Sequence, residues 1–169
     1  MTGGDDLTRF AIVGPRLQRQ LRRAGRLRSH RQTTPRTALP ICILRNILLK
    51  EWQVEVTDEW RAWWTRLADP VQDEVAAVVQ LLEAVGPNLP FPYSSSVRGS
   101  AVTHLRELRI QAGGRAIRSL YAFDPRRVAV LLIGGDKTGD DRWYKRHVPR
   151  AERLYALHLQ RLRQEGLIP

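Results

Sequence analysis

Residues 105–133 read LRELRIQAGGRAIRSLYAFDPRRVAVLLI. Three runs of strand length stand out, Leu105–Ile110, Arg115–Phe123 and Arg127–Ile133, each rich in branched and aromatic residues. Ala112-Gly113-Gly114 separates the first pair and Asp124-Pro125-Arg126 the second. Both separators have hairpin length, so the three strands are expected to run antiparallel. In the first strand Leu108 and Ile110 alternate with Glu107 and Arg109. If the apolar pair faces a core, strand alternation sends the charged pair the other way. In the second strand either Arg118 or the set Ile117, Ser119 and Tyr121 faces inward, and the spacing leaves both registers open.

Upstream, Trp52, Val54 and Val56 alternate with Gln53 and Glu55, the period of a half-buried strand. Asp58 is placed to cap a helix whose Trp60, Trp63, Trp64 and Leu67 share one face. Asp69-Pro70 restarts the chain as an N-cap followed by proline in the first turn, where its missing N–H costs nothing. Val71, Val75, Val78, Leu82 and Val85 then form a stripe that Gly86-Pro87 ends. This is a helical hairpin with an acidic outer face. The proline- and serine-rich stretch from Asn88 to Ser96 is expected to be a loop. Downstream, Gly134-Gly135 is read as the end of the third strand, and Asp136 to His147 as a polar segment. Pro149 is read as opening a last helix with Ala151, Leu154, Tyr155, His158 and Leu162 on one side. The predicted order is β-α-α-β-β-β-α. It describes an α+β domain over residues 51–169 with an antiparallel sheet core, a helical hairpin and a C-terminal helix, the helices covering one sheet face.

Composition bounds the function. Of 169 residues, 43% are hydrophobic and 27% charged, enough for a packed core and against wholesale disorder. The only cysteine, Cys42, excludes an internal disulfide framework or an all-cysteine metal site. No apolar run approaches the roughly 18 residues that span a bilayer, so a cytoplasmic protein without a membrane partner is expected. The net charge of +11 is unevenly spread: +9 over residues 1–50, −6 over 51–97 and +8 over 98–169. Residues 1–50 hold few apolar anchors and several breakers, and read as a basic, disordered extension or an over-extended gene start. Within them Arg16 to Arg28 could form a basic helix for RNA or an anionic membrane. Leu39-Pro40-Ile41-Cys42 is a poor lipoprotein cleavage site, because Ile41 is too large and no apolar segment precedes it.

Chemistry then follows from what converges on the charged side of the sheet. Arg109 and, in one register, Arg118 are joined by Arg106, Arg115, Lys137, Arg142, Tyr144, Lys145, Arg146 and His147 from the strands, turns and post-sheet segment. Cations interleaved with aromatic rings suit single-stranded nucleic acid, although a solvated arginine-rich surface has the same composition. His30, His104, His147 and His158 lack metal-ligand spacing, and no metal or cofactor is expected. Lys137, Arg142 and Lys145 would repel a dication from Asp136, Asp140 and Asp141. Residues 134–139, GGDKTG, lack the order of a phosphate-binding loop. One reaction needs no metal: RNA cleavage by its own 2′-hydroxyl, with a base, a cationic clamp for the phosphate and an acid. His147, His104, Glu107, Tyr144 or an Asp could be base or acid, and composition does not choose among them.

The strand Leu105-Arg106-Glu107-Leu108-Arg109-Ile110, the strand Arg115 to Phe123 with its arginine and aromatics before Asp124, and the apolar Val130-Leu131-Leu132-Ile133 carry a further signal. Together with Asp136-Lys137-Thr138 and the helix after Pro149, they resemble the RelE/ParE toxin superfamily, specifically the phage-derived HigB-like branch of bacterial type II toxin–antitoxin systems. The resemblance runs from about Trp52 to Gln164. It implies an endoribonuclease that cleaves mRNA on the ribosome and is silenced by a helix-turn-helix antitoxin. Arg109 and Arg118 match the strand arginines of the family and Lys137 the cation after the last strand. Asp141, Arg142, Tyr144 and His147 occupy the region where the family keeps catalytic Asp, Tyr or His side chains, and Tyr144 and His147 are taken as acid and base; Arg106, Arg115, Arg142, Lys145 and Arg146 are read from their charge as RNA contacts. Residues 135–141, GDKTGDD, replace the more usual Lys/Thr-Pro sequence of the family, so the identity of the acid and base stays open. Two other readings remain: a gyrase inhibitor of the ParE type, and a non-toxic nucleic-acid-binding accessory protein. Asp73 and Glu74 on the acidic hairpin are a candidate contact for a basic antitoxin segment, or an ordinary soluble surface.

Overall fold

Gly113 and Gly114 both adopt left-handed backbone, φ +56° and +76°, and close a two-residue hairpin between paired Ala112 and Arg115. Only glycine takes two such positions without steric cost. The computed structural model describes residues 52–169. The expectations for residues 1–50 lie outside the described residues. Around this hairpin five strands assemble: β1 (Val54–Val56), β2 (Ser94–Ser96), β3 (Arg106–Ala112), β4 (Arg115–Phe123) and β5 (Ala129–Asp136). Their order in the sheet is β1-β5-β4-β3-β2, with β1 parallel to β5 and every other pair antiparallel. The α+β class is as the sequence indicated. The extra strand is β2, three serines that carry no apolar alternation; its backbone pairs with Arg106–Leu108 of β3, and Ser94 Oγ lies 2.8 Å from Tyr121 Oη.

Three helices complete the fold: α1 (Asp58–Trp64), α2 (Asp69–Val85) and α3 (Trp143–Gln164), with a 3-10 turn at Gly86–Asn88. The cap of α1 is Thr57, one residue before the predicted Asp58; its Oγ1 accepts from Trp60 N at 3.1 Å and donates to the Leu132 carbonyl at 2.6 Å. Helix α2 is capped by Ala68, with Asp69 and Pro70 inside its first turn. An acidic residue there still complements the positive end of the helix dipole.

The helices do not share one sheet face. α1 and α2 bury Trp60, Val75, Val79 and Leu82 against Leu108, Ile110, Ile117 and Tyr121. α3 packs Trp143, Ala151 and Tyr155 against Leu105, Leu120, Val130 and Leu132 on the other face. The sequence missed this second layer because β5 is apolar on both sides. A strand buried between layers reads as one unbroken apolar run.

Gly134 and Gly135 do not end β5, which continues to Asp136. Successive residues point to opposite faces, and each glycine leaves room for one indole: Trp63 at Gly134 and Trp143 at Gly135. Helix α3 begins at Trp143, so Pro149 lies inside it. Proline removes one helical N–H. Buried Trp143, Val148, Ala151, Tyr155, His158 and Leu162 hold the helix through it. Tyr144 and His147 therefore stand on a helix, three residues apart and neighbours on its surface.

Candidate active site

The register of β3 with β4 places Arg109 opposite Arg118, and Ile117, Ser119 and Tyr121 on the hairpin side with Trp60, whose indole N–H donates to Ser119 Oγ at 2.8 Å. Glu107 and Arg109 thus share with Arg118 the face that α3 only partly covers. At that corner Glu107 is the centre. Its Oε1 accepts from Arg109 Nη1 at 2.9 Å and from Ser95 Oγ at 2.8 Å. Its Oε2 accepts from Tyr144 Oη at 2.5 Å and lies 3.6 Å from Arg118 Nε. Arg118 also donates from Nη1 to the Ile117 carbonyl at 2.8 Å, while its Nε meets no hydrogen-bond acceptor among the described residues. Side-chain exposure is 4% for Glu107, 6% for Arg118 and 31% for Arg109, so Arg109 is the guanidinium that reaches water. A buried carboxylate is tolerable only with such partners. Held between two arginines and a phenol, it fixes the direction in which each points.

Tyr144 has its hydroxyl pKa raised, first by burial and then by the hydrogen bond and charge of Glu107, against an opposing pull from Arg118. It stays protonated at neutral pH. Lys137 lies with Nζ 5.6 Å from the centre of the Tyr144 ring. His147 stacks on Trp143, ring centres 4.2 Å apart, with Nδ1 2.8 Å from the Trp143 carbonyl. A carbonyl only accepts, so Nδ1 carries the hydrogen and Nε2 of the neutral ring is the lone pair. Burial lowers the His147 pKa, the charges of Arg146 and Arg150 lower it further, and the Trp143 carbonyl and Asp140 act the other way. The imidazole is therefore neutral at pH 7 and suited to accept a proton.

Arg109, Arg118, Lys137 and Tyr144 are thus gathered around one corner, and His147 stands three residues along α3 from Tyr144, against Trp143. Arg142, Lys145 and Arg146 are exposed at the start of α3 beside it, Arg146 paired with Asp140. Arg115 is exposed at the hairpin tip, 3.8 Å from Asp136. Arg106 is not brought to this face. It donates to Ser94 Oγ and Tyr121 Oη from Nε, and to the Leu89 carbonyl from Nη2, each at 3.1 Å. His104 lies apart too, its Nε2 3.0 Å from Tyr155 Oη. Together with Trp52, Phe123, Arg127 and Tyr155, Arg106 and His104 line a cleft of about 540 Å³ at the other end of the strands. None of Arg109, Arg118, Lys137, Tyr144 and His147 lines it.

Sequence reasoning named Glu107 only as one possible proton carrier and did not anticipate Ser95. Glu107 had a signal: a lone acid between arginines on the polar side of a strand. Ser95 had none, lying in a stretch that reads as loop. Asp124, His158, Arg126 and Glu55 form a second network, buried at Asp124 and His158, with His158 Nε2 3.0 Å from Asp124 Oδ2 and Arg126 Nη2 2.7 Å from the same oxygen. Among the described residues no group of three His, Cys, Asp or Glu side chains could hold a metal ion, and no helix is long and apolar enough to cross a membrane.

Residues 62–156 match the model of the phage-derived Gp49-like protein family. The chain is 36% identical over 125 residues to a Mycobacterium tuberculosis protein named as toxin HigB2, a stretch covering 71% of this chain and 62% of that protein. It is 41% identical over 91 residues to one named as toxin HigB3 from the same organism, covering 53% and 78%. The match therefore spans somewhat under two thirds of the first relative. No solved structure matches the chain at a significant level. With the β3–β4 hairpin, β5 and most of α3 inside the matched region, the chain belongs to the phage-derived Gp49-like family, and with it to the HigB-like branch of the RelE/ParE superfamily that its ELR strand resembles.

Proposed function

We propose that this protein is the toxin of a type II toxin–antitoxin pair, a metal-independent endoribonuclease that cleaves mRNA on the ribosome in the cytoplasm until a helix-turn-helix antitoxin binds it. The observation that supports this most is the convergence of Arg109, Tyr144 and Arg118 on Glu107, the first two by hydrogen bonds and Arg118 by an ion pair, with His147 one helical turn from Tyr144. The names of the two relatives support the toxin role.

In this reading Nε2 of His147 takes the proton of a ribose 2′-hydroxyl. The 2′-oxygen then bonds to the neighbouring phosphorus while the bond from phosphorus to the 5′-oxygen breaks. Arg109, Arg118 and Lys137 stabilise the charge that grows on the phosphate oxygens, worth several kcal/mol in a water-poor corner. Tyr144 gives its proton to the departing 5′-oxygen. That alkoxide is far more basic than a phenolate, so the transfer is favourable despite the raised Tyr144 pKa. The products are a 2′,3′-cyclic phosphate and a 5′-hydroxyl end. Glu107 positions Arg109 and the Tyr144 hydroxyl and takes no proton.

Induced expression should arrest growth, the neighbouring gene product should relieve the arrest, and mapped transcripts should show new 5′-hydroxyl ends. Arrest without new ends would overturn the nuclease reading.

A further inference from the structure

Phe91 is the most exposed large apolar side chain among the described residues, at 71%. Burying such a ring is worth roughly 1.5–3 kcal/mol to a folded chain, so its exposure beside a polar site calls for a reason. Phe91 is not on a loose loop. Leu89 before it is buried, Tyr93 N and Ser94 N both donate to the Pro90 carbonyl at 3.1 Å, and Arg109 N donates to the Tyr93 carbonyl at 2.8 Å. Pro90 and Pro92 flank it and restrict the backbone further. The Arg109 guanidinium lies over the ring, 5.4 Å from its centre, and the same guanidinium donates to Glu107. Arg109 stands over the ring on one side, and the residue is still 71% exposed, which leaves ring surface open to a ligand.

We propose that the exposed ring of Phe91 is a base-binding subsite, which stacks an unpaired base of the RNA next to the phosphate held by Arg109. The inference rests on the nuclease reading above and names how its substrate is gripped. A rigid ring with open surface and a cation beside it offers stacking to any base and a partner for the adjoining phosphate. Leu157 and Leu167, the other exposed large apolar side chains among the described residues, lie beyond the α3 turn that carries Tyr144 and His147.

The test uses full-length protein and a single-stranded oligoribonucleotide. Phe91→Ala should raise KM at least tenfold and leave kcat within about threefold, in keeping with the cost of losing one stacked base. Phe91→Trp should retain wild-type KM, and Phe91→Leu should behave like Phe91→Ala, because a leucine keeps the apolar surface and loses the ring. Binding of the same oligonucleotide by Tyr144→Phe and by Tyr144→Phe with Phe91→Ala separates the two readings. If the wild-type protein cleaves nothing but the second variant binds at least tenfold more weakly than the first, the subsite stands and the nuclease reading fails. Equal binding by the two variants overturns the subsite. So does a Phe91→Leu protein with wild-type KM, or a Phe91→Ala protein with unchanged RNA kinetics that no longer binds the antitoxin.

Discussion

The 2.5 Å hydrogen bond from Tyr144 to Glu107 decides what both side chains do at neutral pH. The carboxylate favours the neutral phenol, so the Tyr144 proton is present when the leaving oxygen needs it. Tyr144→Phe is expected to lower kcat by a factor of about 10²–10³ and to lower the melting temperature, because buried Glu107 Oε2 loses its donor, as read by oligoribonucleotide cleavage and calorimetry. Glu107→Gln removes the charge that raises the Tyr144 pKa, so the alkaline fall of kcat should move to lower pH, besides a lower maximum. An unmoved alkaline limb would mean that Glu107 acts only in packing. For His147 the working form is the neutral one. Its pKa is lowered, so kcat/KM should hold down to a pH below the ordinary imidazole value of about 6.5 and then fall. His147→Ala should abolish that acid limb. An acid limb above the ordinary value would remove His147 as the base.

At the scale of elements, the parts that read well are those with a local rule. Gly113-Gly114 announces a hairpin, and the stripes Trp60/Trp64 and Val71/Val75/Leu82 announce helices whose buried faces the structure confirms. The side of Arg109 followed from Leu108 and Ile110. Applied to Arg106, the same alternation would have set it with Leu108 and away from Arg109, where it lies. Other features depend on distant partners. Pro149 looks like a helix start until Trp143 is seen buried against the sheet, and the partners of Glu107 include a tyrosine 37 residues away. Gly134 and Gly135 look like a strand end until two indoles are found over them. Gly134→Ala places a methyl group inside the Trp63 ring and is expected to cost about 1–3 kcal/mol in urea unfolding. Unaltered stability would show that Trp63 has room to move.

For the molecule as a whole, the Asp124 network ties β1 and the β4–β5 turn to α3: Arg126 bridges to Glu55 and His158 donates from the helix. Burial alone would raise the Asp124 pKa, but hydrogen bonds from His158, Arg126 and Val128 N together with the charge of Arg126 hold it below the ordinary carboxylate value. In the unfolded chain that value is about 3.9. The stabilisation is therefore complete above that pH and is lost as pH falls through the lower folded value. Asp124→Asn should cost about 3 kcal/mol at pH 7 and flatten the loss of stability in acid, measured by urea midpoints at several pH values. A variant as stable as the parent would show that the network contributes no net stability.

The proposed chemistry is divided along the chain: the phosphate clamp stands on β3, on β4 and just past the end of β5, and both proton-transfer groups stand at the start of α3, which follows every strand. A growing polypeptide that has already emerged as far as the sheet would grip RNA with Arg109 and Arg118 yet have nothing to move a proton. On the proposed reading, cleavage would begin only once α3 has been translated and docked.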